Sequence, residues 1–144
     1  QVFHIIEALN DIDWGQRQMA VRVNALDTPW ACRDIIELAS RAPRLDLILL
    51  PKAGSAEDVK FVERLIAGVE NEARRSAPLN IEVLIETAAG VANAEAIAAA
   101  SPRLEAMIFG LGDYSIEMRT FDFNIVVPLD APDAVPEESF GLER

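Results

Sequence analysis

Glu86 closes the run Asn80-Ile-Glu-Val-Leu-Ile-Glu86, and Asp113 lies just beyond the run Glu105-Ala-Met-Ile-Phe-Gly110. A carboxylate at the end of a buried strand is costly to desolvate unless a cation or hydrogen-bond donors meet it. Two of them on consecutive strand ends repel each other unless something positive lies between, and a divalent ion is the most economical solution. Oxygen donors without His or Cys select a hard ion, Mg²⁺ or Mn²⁺. Two protein carboxylates also leave coordination positions for water and for a substrate carboxylate or carbonyl. The plainer reading makes either carboxylate the cap of the following helix, and residue types alone leave both readings open.

Arg22 and Asn24 end an earlier run, Met19-Ala-Val-Arg-Val-Asn24. Strand alternation puts Ala20, Arg22 and Asn24 on one face, and Glu82, Leu84 and Glu86 on one face of a later strand. If those faces share an interior, Arg22 and Glu86 converge on its mouth; the competing use of Arg22 is an ion pair with one of the carboxylates. Lys52, after Pro51, could form a Schiff base only as a desolvated amine, whereas a lysine at a strand end more commonly holds an anion or solvates the rim. Gly110-Leu-Gly112-Asp113 is too short for a dinucleotide fingerprint, and no P-loop pattern occurs. His4 is expected to pack or meet solvent, Cys32 to be a small buried apolar residue, and Trp14 and Trp30 to be packing anchors.

These residues must be positioned by a repeating pattern of elements. Val2, Ile5, Ile6 and Leu9 have helical spacing, and Asn10-Asp11 reads as a stop. Strands are predicted from about residues 19, 45, 80 and 105. Thr28 as N-cap with Pro29 at the first helical position predicts a helix to about Ser40. Ser55 caps a long helix with Val59, Val62, Leu65, Ile66 and Val69 as its apolar stripe. An Ala-rich helix follows Gly90 to about Ala100. Strand starts 26, 35 and 25 residues apart leave room for a crossover helix each time, so the strands are parallel. Strands of near-continuous Val, Ile and Leu are covered on both faces, which suits either a doubly wound sheet or a β/α barrel. From residue 125 to 144 the rhythm breaks. Pro128, Pro132 and Pro136 sit among acidic residues, which reads as an unstructured acidic tail.

The 144 residues, 51% hydrophobic, are enough for one domain with a real core. With 13 Lys and Arg against 24 Asp and Glu the net charge is −11, and no basic cluster exists to neutralise phosphates, so nucleic acids and anionic membranes are poor partners. A single Cys and a single His build neither an internal disulfide nor a Cys/His zinc site. No apolar run approaches the ~20 residues of a membrane span and no basic-then-apolar leader is apparent, so a cytoplasmic setting is expected.

Taken together, Arg22-Val-Asn24 with Asp27-Thr-Pro-Trp30, Leu49-Leu-Pro-Lys52, Leu84-Ile-Glu-Thr87 with Gly90 and Asn93, and Ser101 to Gly110 with Asp113 resemble the HpcH/HpaI aldolase and citrate lyase β-subunit family. Within that family the likeness is strongest to the malyl-CoA lyases and related CoA-ester lyases. It runs in order from about Val2 to Phe123. The resemblance implies a (β/α)8 barrel, present here as four parallel βα units over residues 1–124. It also implies that Glu86 and Asp113 hold Mg²⁺, or Mn²⁺, with Arg22 beside the substrate. The implied reaction makes or breaks a carbon–carbon bond between an acyl-CoA enolate and a 2-oxo acid such as glyoxylate. Asn24, Lys52, Gly110 and Gly112 are then candidate contacts for substrate or CoA. The alternatives are a lyase for a citryl thioester, a pyruvate-dependent class II aldolase, and a non-catalytic assembly module. Family members are about twice this length, and a barrel needs roughly 250 residues. The chain, starting at Gln1 within a helix, therefore reads as a fragment, inactive alone, or as one whose sheet other copies complete in a homo-oligomer.

Overall fold

A computed structural model describes residues 2–120. Its elements are α1 (Val2–Asp11), β1 (Ala20–Arg22), α2 (Ala31–Arg41), β2 (Leu47–Leu50), α3 (Ala56–Ala73), β3 (Asn80–Ile85), α4 (Ala88–Ala92), α5 (Ala94–Ala98), β4 (Leu104–Phe109) and α6 (Leu111–Glu117). The four strands form one parallel sheet in the order β1-β2-β3-β4. Every crossover therefore steps in the same direction. A doubly wound sheet reverses its strand order at a switch point, and none occurs here. Sequential parallel winding is barrel-type, which decides between the two architectures that periodicity left open.

Burial agrees with that winding. Val21, Ile48, Leu50, Ile81, Val83 and Ile85 point to the helix side and are buried with Ile35, Leu38, Val59, Val62 and Ile66 of α2 and α3. On the opposite face the register aligns Arg22 with Leu49, and Leu49 with Glu82, which pairs with Ala106. These side chains remain half-buried or exposed, and this second face corresponds to a barrel interior. The expectation that both faces are covered thus fails within the described residues.

Ser55 starts α3 as expected. Its hydroxyl accepts the Asp58 N–H while the Asp58 carboxylate accepts the Ser55 N–H, a reciprocal capping box. Thr28 and Pro29 do not start α2. The Thr28 hydroxyl and N–H both donate to the Ala25 carbonyl, closing a local turn, and the helix begins at Ala31 behind Trp30. Nor is the Ala-rich helix continuous. Asn93, drawn to the Gly54 carbonyl at 2.8 Å, divides it into α4 and α5. Cys32 is exposed, because Ala31, Ile35 and Leu38 take the buried stripe of α2. Trp30 is 59% exposed and anchors nothing, whereas Trp14 packs against the core and donates its indole N–H to the Ala8 carbonyl. No helix among the described residues is long and apolar enough to cross a membrane. The acidic tail at 125–144 lies outside the described residues.

Candidate functional site

The carboxyl ends of the four strands carry two cavities. One of about 300 Å³ is lined by Lys52, Glu86, Thr87, Asp113, Ile116 and Glu117. It thus gathers Glu86 from the end of β3, Asp113 from the first turn of α6, and the loop after β2. Neither carboxylate is spent on a helix cap. Thr87 caps α4 through its own hydroxyl, which accepts the Gly90 N–H at 3.0 Å. At α6 the cap position is Gly110, and no side chain supplies a capping bond. The capping interpretation of Glu86 and Asp113 is therefore excluded.

Glu86 is 8% exposed. Its Oε1 accepts the backbone N–H of Lys52 at 3.0 Å. Among the described residues no Lys or Arg forms an ion pair with it or with Asp113. A carboxylate this enclosed, with one neutral donor, retains a strong demand for positive charge. Asp113 is exposed toward solvent and the cavity. The donor set suits Mg²⁺, a hard ion commonly held by one or two carboxylates with waters and substrate filling the remaining positions. No cluster of three or more His, Cys, Asp or Glu in ligating geometry exists among the described residues, so a cation here would depend on those further oxygens.

Lys52 is exposed, with a left-handed backbone at φ 54°. An exposed amine lacks the desolvation that Schiff-base chemistry requires, so that use of Lys52 falls away. Arg22 and Asn24 line a separate cavity of about 140 Å³ with Asp34, Val2, Ile5 and Leu38. Arg22 makes no ion pair among the described residues, and the pairing with Glu86 or Asp113 that its type allowed is absent. Asn24 donates to Asp34 at 2.5 Å. Arg22 and Glu86 share a sheet face, but Arg22 is in register with Glu82, so Glu86 lies two strands across and four residues further along, roughly 16 Å away at ordinary strand spacing and rise. They line two separate cavities.

Thr87, Ile116 and Glu117 went unread in the sequence as lining residues. Glu117 was legible in principle, since it follows Asp113 by four residues and so shares its helix face. Gly112 has open space where a side chain would lie, while Gly110 is filled from outside by Glu86.

A sequentially wound parallel sheet with acidic residues at its carboxyl rim is of the β/α-barrel class, and sequence comparison gives the family. The profile of the HpcH/HpaI aldolase/citrate lyase family matches residues 2–124, and the chain belongs to that family. An L-malyl-CoA/beta-methylmalyl-CoA lyase of Cereibacter sphaeroides is 48% identical over 116 residues, covering 80% of this chain and 36% of that protein. A citrate lyase subunit beta of Leuconostoc mesenteroides subsp. cremoris is 36% identical over 117 residues, covering 81% of this chain and 38% of that one. The chain thus spans little more than a third of these relatives. The crystal structure of a citrate lyase from Burkholderia xenovorans superposes with a TM-score of 0.69 at 21% identity, over 82% of this chain and 38% of that one, and shares the fold.

Proposed function

We propose that this chain carries the metal-holding part of the active site of a Mg²⁺-dependent carbon–carbon lyase acting on a 3-hydroxyacyl-CoA such as malyl-CoA. The observation that carries the reading is the enclosed Glu86, which caps no helix and has no ion-pair partner among the described residues, facing the same cavity as Asp113. The likeness to a malyl-CoA lyase supports the substrate class. Glu86 and Asp113 would hold the ion, with Mn²⁺ as a substitute. Bound there, it supplies Lewis-acid polarisation of a 2-oxo acid carbonyl. Arg22, on the same sheet face, supplies fixed positive charge for the thioester enolate oxygen, where charge develops as the carbon–carbon bond breaks. Asn24, held by Asp34, and the rim at Lys52, Gly110 and Gly112 would contact the remainder of the substrate. The similarity to a citrate lyase subunit favours a citryl thioester as the second reading. Release of glyoxylate from malyl-CoA, against cleavage of citryl-CoA, by this chain extended with the family's remaining barrel strands separates the two.

The metal assignment is tested directly by calorimetry with the 144-residue chain. Mg²⁺ binding should vanish in Glu86→Gln, which keeps the shape and removes the charge. Unchanged affinity in that variant removes the site.

A further inference from the structure

The geometry points to a backbone clamp on Glu86: the N–H of Lys52 and the bare Cα of Gly110 fix its carboxylate, making Lys52 and Gly110 positioning residues for the cation site. The inference rests on the reading of Glu86 as a metal ligand.

Lys52 adopts φ 54°, a conformation that side-chain-bearing residues rarely take. The other two described non-glycine residues with positive φ, Arg74 and Arg119, follow helix ends, where a left-handed residue is common. Lys52 follows a strand instead. Its neighbours hold it in place: Pro51 is buried, the Ala53 N–H donates to the Leu84 carbonyl at 3.2 Å, and the Gly54 carbonyl accepts from Asn93. The next turn is equally close, since a Cβ on Gly90 would stand 2.4 Å from the Ala53 carbonyl oxygen. With the loop stitched onto β3 and α4, the left-handed turn delivers the Lys52 N–H to Glu86 Oε1.

Gly110 acts from the other side. A Cβ there would lie 2.6 Å from Glu86 Cβ and 2.8 Å from Glu86 Oε2, inside any real contact distance. Gly110 cannot retreat, because its N–H donates to the Ile85 carbonyl at 2.9 Å and ties the end of β4 to that of β3. One carboxylate oxygen is thus held by an amide, while the other lies in the space a side chain at 110 would occupy. Two backbone contacts fix the carboxylate, and among the described residues no Lys or Arg forms an ion pair with it. Lys52 acts through its amide and conformation, and its ammonium is not required for this role.

Mn²⁺ titration of the full 144-residue chain, with free ion counted by electron paramagnetic resonance and folding checked by circular dichroism, tests the clamp. Lys52→Gly keeps the N–H and accepts the left-handed turn, so its affinity should equal that of the unaltered chain. Lys52→Val and Gly110→Ala should each weaken binding about tenfold or more, the usual effect of removing an outer-shell partner of a metal ligand. A folded Gly110→Ala with unchanged affinity overturns the clamp. So does Lys52→Val binding as well as the unaltered chain, or Lys52→Gly binding as poorly as Lys52→Val. The Lys52 pair decides the matter if Gly110→Ala does not fold. Unchanged affinity in Glu86→Gln defeats the metal reading and the clamp with it; reduced affinity there alongside unchanged affinity in Gly110→Ala defeats the clamp alone.

Discussion

Arg22 and Glu86 sit on one sheet face yet face different cavities, so their contributions should separate on substitution. Arg22→Ala is expected to leave Mg²⁺ affinity unaltered by calorimetry. In this chain extended with the family's remaining barrel strands it should lower turnover by about a hundredfold or more, the scale for losing a group that stabilises developing oxyanion charge. A matching loss of metal affinity would mean that Arg22 supports the ion site and not the substrate. Glu86, Asp113 and Arg22 were legible in the sequence as candidates because charged residues at or just past the ends of aliphatic runs stand out. The part played by Gly110 was not. It depends on how closely β4 approaches β3, a distance between segments 24 residues apart that no local pattern encodes. Cys32 and Trp30 misled for a related reason, as residue type predicts burial only on average and one position around α2 separates buried Ala31 from exposed Cys32.

Among the elements, the end of the sheet opposite the site carries the strongest polar tie. Arg103 reaches Glu70 on α3 through two nitrogens at 3.0 and 2.7 Å and also donates to the Leu79 carbonyl. The Leu79 N–H returns to Glu70 Oε1 at 2.5 Å. This joins α3 to the entries of β3 and β4, so the strands begin in a fixed register while their far ends carry the cavities. Burial alone would push the Glu70 carboxyl pKa up, but the Arg103 and Leu79 hydrogen bonds, with the charges of Arg103 and Arg75, outweigh it and leave it below the usual carboxylate range. A lowered folded pKa means stabilisation that is complete above the unfolded value, about 4.3 for Glu, and is lost as pH falls through the folded value. Glu70→Gln should therefore cost about 1–3 kcal/mol in urea unfolding at pH 7, and the gap to the unaltered chain should shrink at pH 3. An equal gap at both values would show that the carboxylate charge contributes nothing. Element types and order were readable because the change from strand to helix periodicity is local. The turn at Thr28 and the break at Asn93 were not, because each is set by one side chain bonding a carbonyl outside the helix it interrupts.

At the scale of the whole molecule, among the described residues the sheet has one face covered by helices and one open, with β1 and β4 as its edges. Parallel edges present unpaired N–H and C=O groups, and here β4 adds exposed Ile108 at 41% and Phe109 at 55%. Barrel winding was recoverable only from the strand order, because spacing between strands is alike in barrels and doubly wound sheets. That winding gives the open face its consequence: the apolar and edge groups that further strands of a barrel would meet are available to other copies. The net charge of −11 opposes contact between copies, and this repulsion is long-ranged only at low salt. The 144-residue chain should therefore self-associate with concentration, and more strongly at about 0.3 M salt than at about 0.02 M, where the Debye length is several times longer. Light scattering at both salts measures this. Replacing Phe109 and Ile108 by Lys should reduce the association without disturbing the helix-covered core, since both side chains are largely exposed. A chain that stays monodisperse and monomeric at both salts, with a sharp cooperative thermal transition, would show that the open face and edges are stable in water without a partner.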